Sequence, residues 1–103
     1  MFKKSKNDKM TYGIVGLGRF GTALAYDLAE SGSEIIAIDI NEEKVREIRE
    51  VTENAFLVKN LDKKTLLETG IQNCDVAVVC IGEHMDISIL TTLNLVSMGI
   101  PKV

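Results

Sequence analysis

One histidine, two cysteines and no long apolar run close off several chemistries in this sequence of 103 residues. His84 has Asp86 nearby but no cysteine or second histidine at metal-binding spacing, so no metal site follows from it. It reads as a solvated residue near a helix start, and a proton-transfer role would need a substrate bound above Gly82. With a single histidine, no Ser/His/Asp or Cys/His arrangement is supported either. Cys74 and Cys80 are too few for a secreted disulfide framework. They read as reduced, buried thiols of a cytoplasmic protein. No apolar stretch is long enough to span a bilayer, and no signal peptide is apparent. Internal repeats and low-complexity segments are also missing.

Positive charge is scarce too. The net charge is −3, which argues against a nucleic-acid partner. What basic charge there is concentrates at the start. Residues 1–10 carry Lys3, Lys4, Lys6 and Lys9 against Asp8, a net of +3, which leaves −6 for the rest. This arm reads as a solvated terminus outside the fold, with contact to an anionic surface or a partner as the alternative. Residues 11–103 then make one domain, and a hydrophobic fraction of 46% suits a packed core.

The stretch from Tyr12 to Asp39 organises that domain. An apolar strand, Thr11 to Val15, runs into Gly16-Leu17-Gly18-Arg19-Phe20-Gly21, then a helix, then a second strand that ends in Asp39. In this context the spacing of the glycines points to a backbone that holds a dinucleotide or nucleotide phosphate. Gly16 permits the tight turn, Gly18 lets the backbone approach a phosphate, and Gly21 lets helix and strand pack closely. The start of the helix supplies free N–H groups. Asp39, followed by Ile40, can accept both ribose hydroxyls and would repel a 2′-phosphate, which favours a diol nucleotide over NADP. The alternative is a helix-capping or surface aspartate.

Arg19 can pair with a terminal phosphate, which tilts the reading toward a multi-phosphate nucleotide; the alternative is an exposed arginine on the first helical turn. Lys44 is a further phosphate candidate, although surface placement is the safer reading. Asn60-Leu61-Asp62 and Ile81-Gly82 end the third and fourth strands, where they would border the base and the phosphates.

Helix and strand signals continue to the end. Phe20, Ala23, Leu24 and Leu28 give the first helix a face for the sheet, and Gly32 ends it. Asn41 caps the second helix, with Val45, Ile48 and Val51 inward. Ala55 to Val58 reads as a third strand. Asp62 caps a helix that carries Leu66 and Leu67, and Gly70 closes it. Asp75 to Ile81 reads as the fourth strand. The helix from about Glu83 to Ser97 has two apolar stripes, Ile89, Leu90, Leu93 and Val96 on one and Ile87, Leu95 and Met98 on the other. One is expected to lie on the sheet and the other on a second copy of the chain, with Leu95 and Met98 as positions where a charge breaks the dimer. Ile100 to Val103 reads as the start of a fifth strand, so the sequence reads as a fragment with an exposed fourth-strand edge. The expected fold is α/β, a Rossmann-like doubly wound parallel sheet of order 3-2-1-4-5 with helices on both faces and a truncated last strand.

Ile14-Val-Gly-Leu-Gly-Arg-Phe-Gly21, Ala37-Ile-Asp-Ile-Asn-Glu-Glu-Lys-Val45 and Leu90-Thr-Thr-Leu93 together resemble a known family. It is the N-terminal nucleotide-binding domain of regulators of potassium conductance (RCK), and more narrowly the cytosolic gating subunits of bacterial Trk/Ktr-type potassium uptake systems. The resemblance runs from about Thr11 to the end. It implies a Rossmann-like domain that dimerises, often into a ring of dimers, at the inner face of the membrane beneath an integral-membrane potassium channel or transporter.

The resemblance also implies that nucleotide exchange gates the pore, ATP against ADP in Ktr types and NADH against NAD in Trk types. Gly16, Gly18, Arg19, Phe20 and Gly21 match the phosphate loop of that family, and Asp39 matches its ribose acid. Asn60-Leu61-Asp62 and Ile81-Gly82 match the flanking loops. Arg19-Phe20 looks more like the ATP/ADP type. Family members continue into further strands and a C-terminal ligand-binding domain. The resulting expectation is a regulatory nucleotide sensor and not an enzyme; the alternative is the cofactor domain of an NAD-dependent dehydrogenase.

Overall fold

The computed structural model describes residues 10–81 and 85–103. The basic arm (except Met10), Gly82 and His84 lie outside the described residues. The elements run β1 (Thr11–Val15), α1 (Arg19–Glu30), β2 (Glu34–Asp39), α2 (Glu42–Ile48), β3 (Ala55–Leu57), α3 (Lys63–Glu68), a short 3-10 turn (Ile71–Asn73), β4 (Val76–Val79) and α4 (Met85–Ser97).

The four strands form one parallel sheet in the order β3-β2-β1-β4. Beyond β4, Val76 makes a single parallel bridge to Lys102. The fifth strand therefore begins where the expected order puts it, and it covers only the start of the β4 edge.

Alternation along the strands divides the core into two layers. Ile14, Ala37 and Ile35 face α1 and α2, where Ala25, Val45 and Ile48 pack on them. Val15, Ile38 and Ala77 face the other way, onto Leu66, Ile71 and Leu95. With helices on both faces, this is the Rossmann-like doubly wound arrangement that the sequence predicts. It follows from short, near-continuous apolar strands that must be covered twice.

The helix ends follow local chemistry. Asn41 Oδ1 accepts from the N–H groups of Glu43 (2.9 Å) and Lys44 (3.2 Å), and Glu42 and Glu43 stand in that first turn. Replacing Asn41 with alanine is expected to cost about 1 kcal/mol, read from the shift of a urea-unfolding midpoint. No shift would mean that water caps α2 equally well.

Two expected helix faces need correction, those of α1 and α4. In α1 the inward residues are Gly21 and Ala25, with Leu24, Leu28 and Ala29 beside them, whereas Phe20 is 67% exposed and Ala23 is exposed. The close approach of α1 to β1 admits only small residues and turns the bulkier phenylalanine outward. In α3, Leu66 is buried but Leu67, one residue on, is turned out. In α4, Thr91 and Leu95 are buried, and Met98 just past its end packs on the core, while Ile89, Leu90, Leu93 and Val96 are all more than half exposed. Leu95 and Met98 therefore serve the chain's own core, and the other stripe is the one left exposed.

Candidate nucleotide site

The carboxyl ends of β1, β2 and β4 converge where the connections change side. β1 leads through α1 to β2 on one side, and α3 returns the chain to β4 on the other. In open parallel sheets a ligand crevice lies at such a switch. Here it is a cavity of about 430 Å³, lined by Gly16, Leu17, Gly18, Ile38, Asp39, Ile40, Lys44, Leu61, Cys80, Ile81 and Ile87.

The floor of the crevice is set by a tight turn. Gly16 has φ of +102°, and its N–H donates to Ile38 O at 2.8 Å, which pins β1 to β2. A Cβ on Gly16 would lie 2.7 Å from Cys80 O, so this position is closed to any side chain. Gly18 behaves differently. Among the described residues, no atom beyond its chain neighbours lies within 4 Å of where its Cβ would stand. Packing does not require a glycine there, whereas a phosphate approaching the backbone would. The residues present thus fit a bound phosphate.

Gly18 is the N-cap of α1, and no side chain caps the helix. Its first turn also contains no acid, in contrast to α2. No acid of its own first turn therefore screens the positive helix end, and the Asp39 carboxylate is the acid that stands across the crevice from it. Arg19 is exposed on that turn, and no described residue pairs with its guanidinium. Arg19, Phe20 and Gly21 stand beside the crevice on the helix and do not line its wall.

Asp39 ends β2, half-buried, with both carboxylate oxygens engaged. Oδ2 accepts from Leu17 N–H at 2.7 Å and Oδ1 from Asn41 N–H at 2.8 Å. Lys44, on the first turn of α2, reaches the same cavity.

On the far side Leu61 lines the crevice, but Asn60 and Asp62 do not. Asn60 Oδ1 accepts from Asp62 N–H (3.0 Å) and from the Thr65 hydroxyl (3.2 Å), and Asp62 Oδ1 accepts from Thr65 N–H (2.8 Å). Hydrogen bonding from Thr65, side chain first and then backbone, holds the Asp62 carboxyl below its ordinary range. These two polar groups are spent on starting α3. Asn60 instead borders a separate hollow of about 330 Å³ between β3 and α3.

Two lining residues had no place in the motif reading. Ile87 arrives from α4, and Cys80 supplies one of the two thiols that burial pushes up, so it stays neutral near pH 7. The position of Cys80 at the mouth of β4, directly before Ile81, is the signal that would have found it.

The TrkA-N domain family matches residues 12–103, nearly the whole described chain. This chain belongs to that family. It is the RCK-type domain of Trk/Ktr regulatory subunits that the sequence resembles. It is 39% identical to Ktr system potassium uptake protein C of Bacillus subtilis over 92 residues, 89% of this chain and 42% of that protein. Ktr system potassium uptake protein A of the same organism is 37% identical over 92 residues, 89% of this chain and 41% of the relative. The UDP-N-acetyl-D-mannosamine dehydrogenase of Methanocaldococcus jannaschii is 34% identical over 77 residues, 75% of this chain but only 17% of that protein. The chain spans about two fifths of the length of the potassium-uptake relatives it matches.

Proposed function

We propose that this domain is a nucleotide-sensing regulatory element of a potassium uptake system. It binds ATP/ADP or NAD(H) without turning it over, and it signals occupancy to an integral-membrane partner at the inner, cytoplasmic face. The observation that carries the reading is the open space above Gly18, between an uncapped, acid-free helix N-terminus and the Asp39 carboxylate. Backbone N–H groups of Gly18 to Gly21 would hold the phosphates, Asp39 the ribose diol, and Ile40 and Leu61 the base. Arg19 and Lys44 would meet the outer phosphates, which favours ATP/ADP over NAD(H). The relationship to Ktr proteins supports potassium uptake as the process served.

Transmission would run through α4. Ile87 touches the crevice, and Asn94 Nδ2 donates to Leu61 O at 3.5 Å, so α4 is tied to the base side of the site. Its solvent-exposed stripe offers Leu90 and Leu93, about 60% exposed, to a second copy. In this reading the chain forms a homodimer that can extend to a ring of dimers. A nucleotide shifts such an assembly only by binding its two states with different affinity.

The dehydrogenase relative supports a second reading, a cofactor half whose catalytic residues lie elsewhere. One ligand panel tests the preference for ATP/ADP that sets the regulatory reading apart. ATP, ADP, AMP, NAD, NADH and NADPH are compared by thermal shift at equal excess over this chain. Stabilisation of about 2–3 kcal/mol is expected for ATP or ADP at a hundredfold excess over the dissociation constant, with none for NADPH. NAD(H) binding without ATP or ADP would overturn the preference for ATP/ADP and leave the dehydrogenase reading standing beside the regulatory one. Binding of NADPH alone would overturn the role given to Asp39.

A further inference from the structure

We infer that Asp39 is the positioning residue for both walls of the crevice: its carboxylate holds the glycine loop through Leu17 and the start of α2 through Asn41. The inference deepens the nucleotide reading and rests on it only for the identity of the ligand. Leu17 is 2% exposed, and its N–H has the Asp39 Oδ2 as acceptor at 2.7 Å. A buried amide that loses its acceptor is costly, so the loop keeps this shape because the acid is there. On the other side, Asp39 Oδ1 fixes Asn41 N–H at 2.8 Å, and the Asn41 side chain in turn caps α2, which carries Lys44 to the cavity.

A carboxylate offers two acceptor sites on each oxygen. One on each is used internally, and one on each remains for a ribose diol, so the two duties do not compete. An isosteric amide cannot replace it. Asparagine has one acceptor oxygen and one donor NH₂, so it can satisfy Leu17 or Asn41 while its nitrogen opposes the other N–H. Asp39→Asn therefore loosens one wall without removing volume.

The positioning role and a bare ribose contact predict opposite signs for a ligand that has no ribose. Removing a negative charge beside a phosphate site should strengthen tripolyphosphate binding if charge alone matters. If Asp39 shapes the loop, the same change should weaken it.

The test takes the whole chain, wild type and the variants Asp39→Asn and Asp39→Ala. Amide exchange and chemical shift of Leu17 and Asn41 are followed by NMR without ligand, with the strand amides of Ile14 and Val15 as the reference for global opening. Tripolyphosphate and ATP binding are measured by calorimetry. In the variants, Leu17 exchange is expected to rise about tenfold over the reference amides, and tripolyphosphate to bind roughly three- to tenfold more weakly.

Unchanged Leu17 protection, or tighter tripolyphosphate binding, would overturn the inference. If the wild-type chain binds neither ATP, NAD(H) nor tripolyphosphate, the nucleotide reading falls and the Leu17 amide alone decides the positioning role. Should both variants fail to fold, a wild-type Leu17 amide that exchanges as fast as an exposed loop amide overturns it equally.

Discussion

Replacing Gly21 with alanine is expected to lower the unfolding midpoint by about 10–20 °C, from about 2–3 kcal/mol of overpacking in a domain of this size. The added Cβ would collide with the carbonyl oxygen of Gly16, and it would also come 3.3 Å from the Cβ of Cys80. The obstructing atom is backbone, and that backbone is pinned twice. Gly16 N–H is bonded to Ile38 O, and Cys80 N–H is bonded to Val15 O at 2.7 Å. Relief would have to come from moving α1 away from the sheet, which opens the layer around Ala25 and Leu24.

Gly18→Ala is the counterpart. Its φ of −74° suits any residue, and among the described residues a Cβ there meets no atom beyond its chain neighbours within 4 Å. The midpoint should stay within about 2 °C, because nothing is strained. Nucleotide affinity should nevertheless fall about tenfold or more, since the methyl group occupies the space proposed for a phosphate. Thermal unfolding and ligand binding on the two variants thus separate a packing glycine from a ligand glycine. Equal destabilisation by both, or unchanged affinity in Gly18→Ala, would remove the distinction.

These glycines also show what the sequence could reveal and where it stopped. Strand, loop, helix start and terminal acid were legible from Tyr12 to Asp39 because each is determined by local chemistry. So were the caps at Asn41 and Asp62, whose side chains reach amides two or three residues on. The rotations of α1 and α4 about their axes were not, since they depend on what the helix meets, whereas the inward face read for α2 at Val45, Ile48 and Val51 does pack on the core. Close approach at Gly21 and Ala25 makes the inward stripe of α1 small and therefore weakly apolar. Phe20 stands out in the pattern, yet it lies on the solvent side.

In α4 the apolar residues Ile87, Ile89, Leu90, Leu93, Leu95 and Val96 fall on most sides of the helix, so hydrophobicity fixes no single phase, and the buried Thr91 is concealed among them. The site was legible to a similar extent. Gly16, Leu17, Gly18, Asp39, Ile40, Lys44, Leu61 and Ile81 border one cavity, while Arg19, Phe20 and Gly21 stand outside its wall. Asn60 and Asp62 were drawn off by α3, a competition between capping and ligand binding that spacing alone does not resolve.

The two stripes of α4 are expected to respond oppositely to substitution. Leu95 is fully buried between Leu66, Ile71 and the sheet. Leu95→Ala leaves a cavity and should cost about 2–5 kcal/mol, read from urea unfolding. Against a total stability of about 5–15 kcal/mol for a typical domain, that is a large share. Leu90 and Leu93 are 61% and 60% exposed, so Leu90→Asp with Leu93→Asp should change stability by about 0.5 kcal/mol or less per site. In the proposed dimer those same side chains leave water on association, and two carboxylates on each copy would have to be buried without partners. Self-association measured by sedimentation should then fall by at least a hundredfold, with the fold intact.

Persistence of the dimer in the double variant would move the interface to another surface. A wild-type chain that stays monomeric at every workable concentration would remove dimerisation from the mechanism. The physical basis is one of sides: a helix 13 residues long cannot present every apolar residue to its own sheet, and the core has already taken Thr91, Leu95 and Met98. What remains is a row at Ile89, Leu90, Leu93 and Val96, whose exposure in a single chain is unfavourable and whose burial against an identical row gives the two-fold contact typical of homodimers.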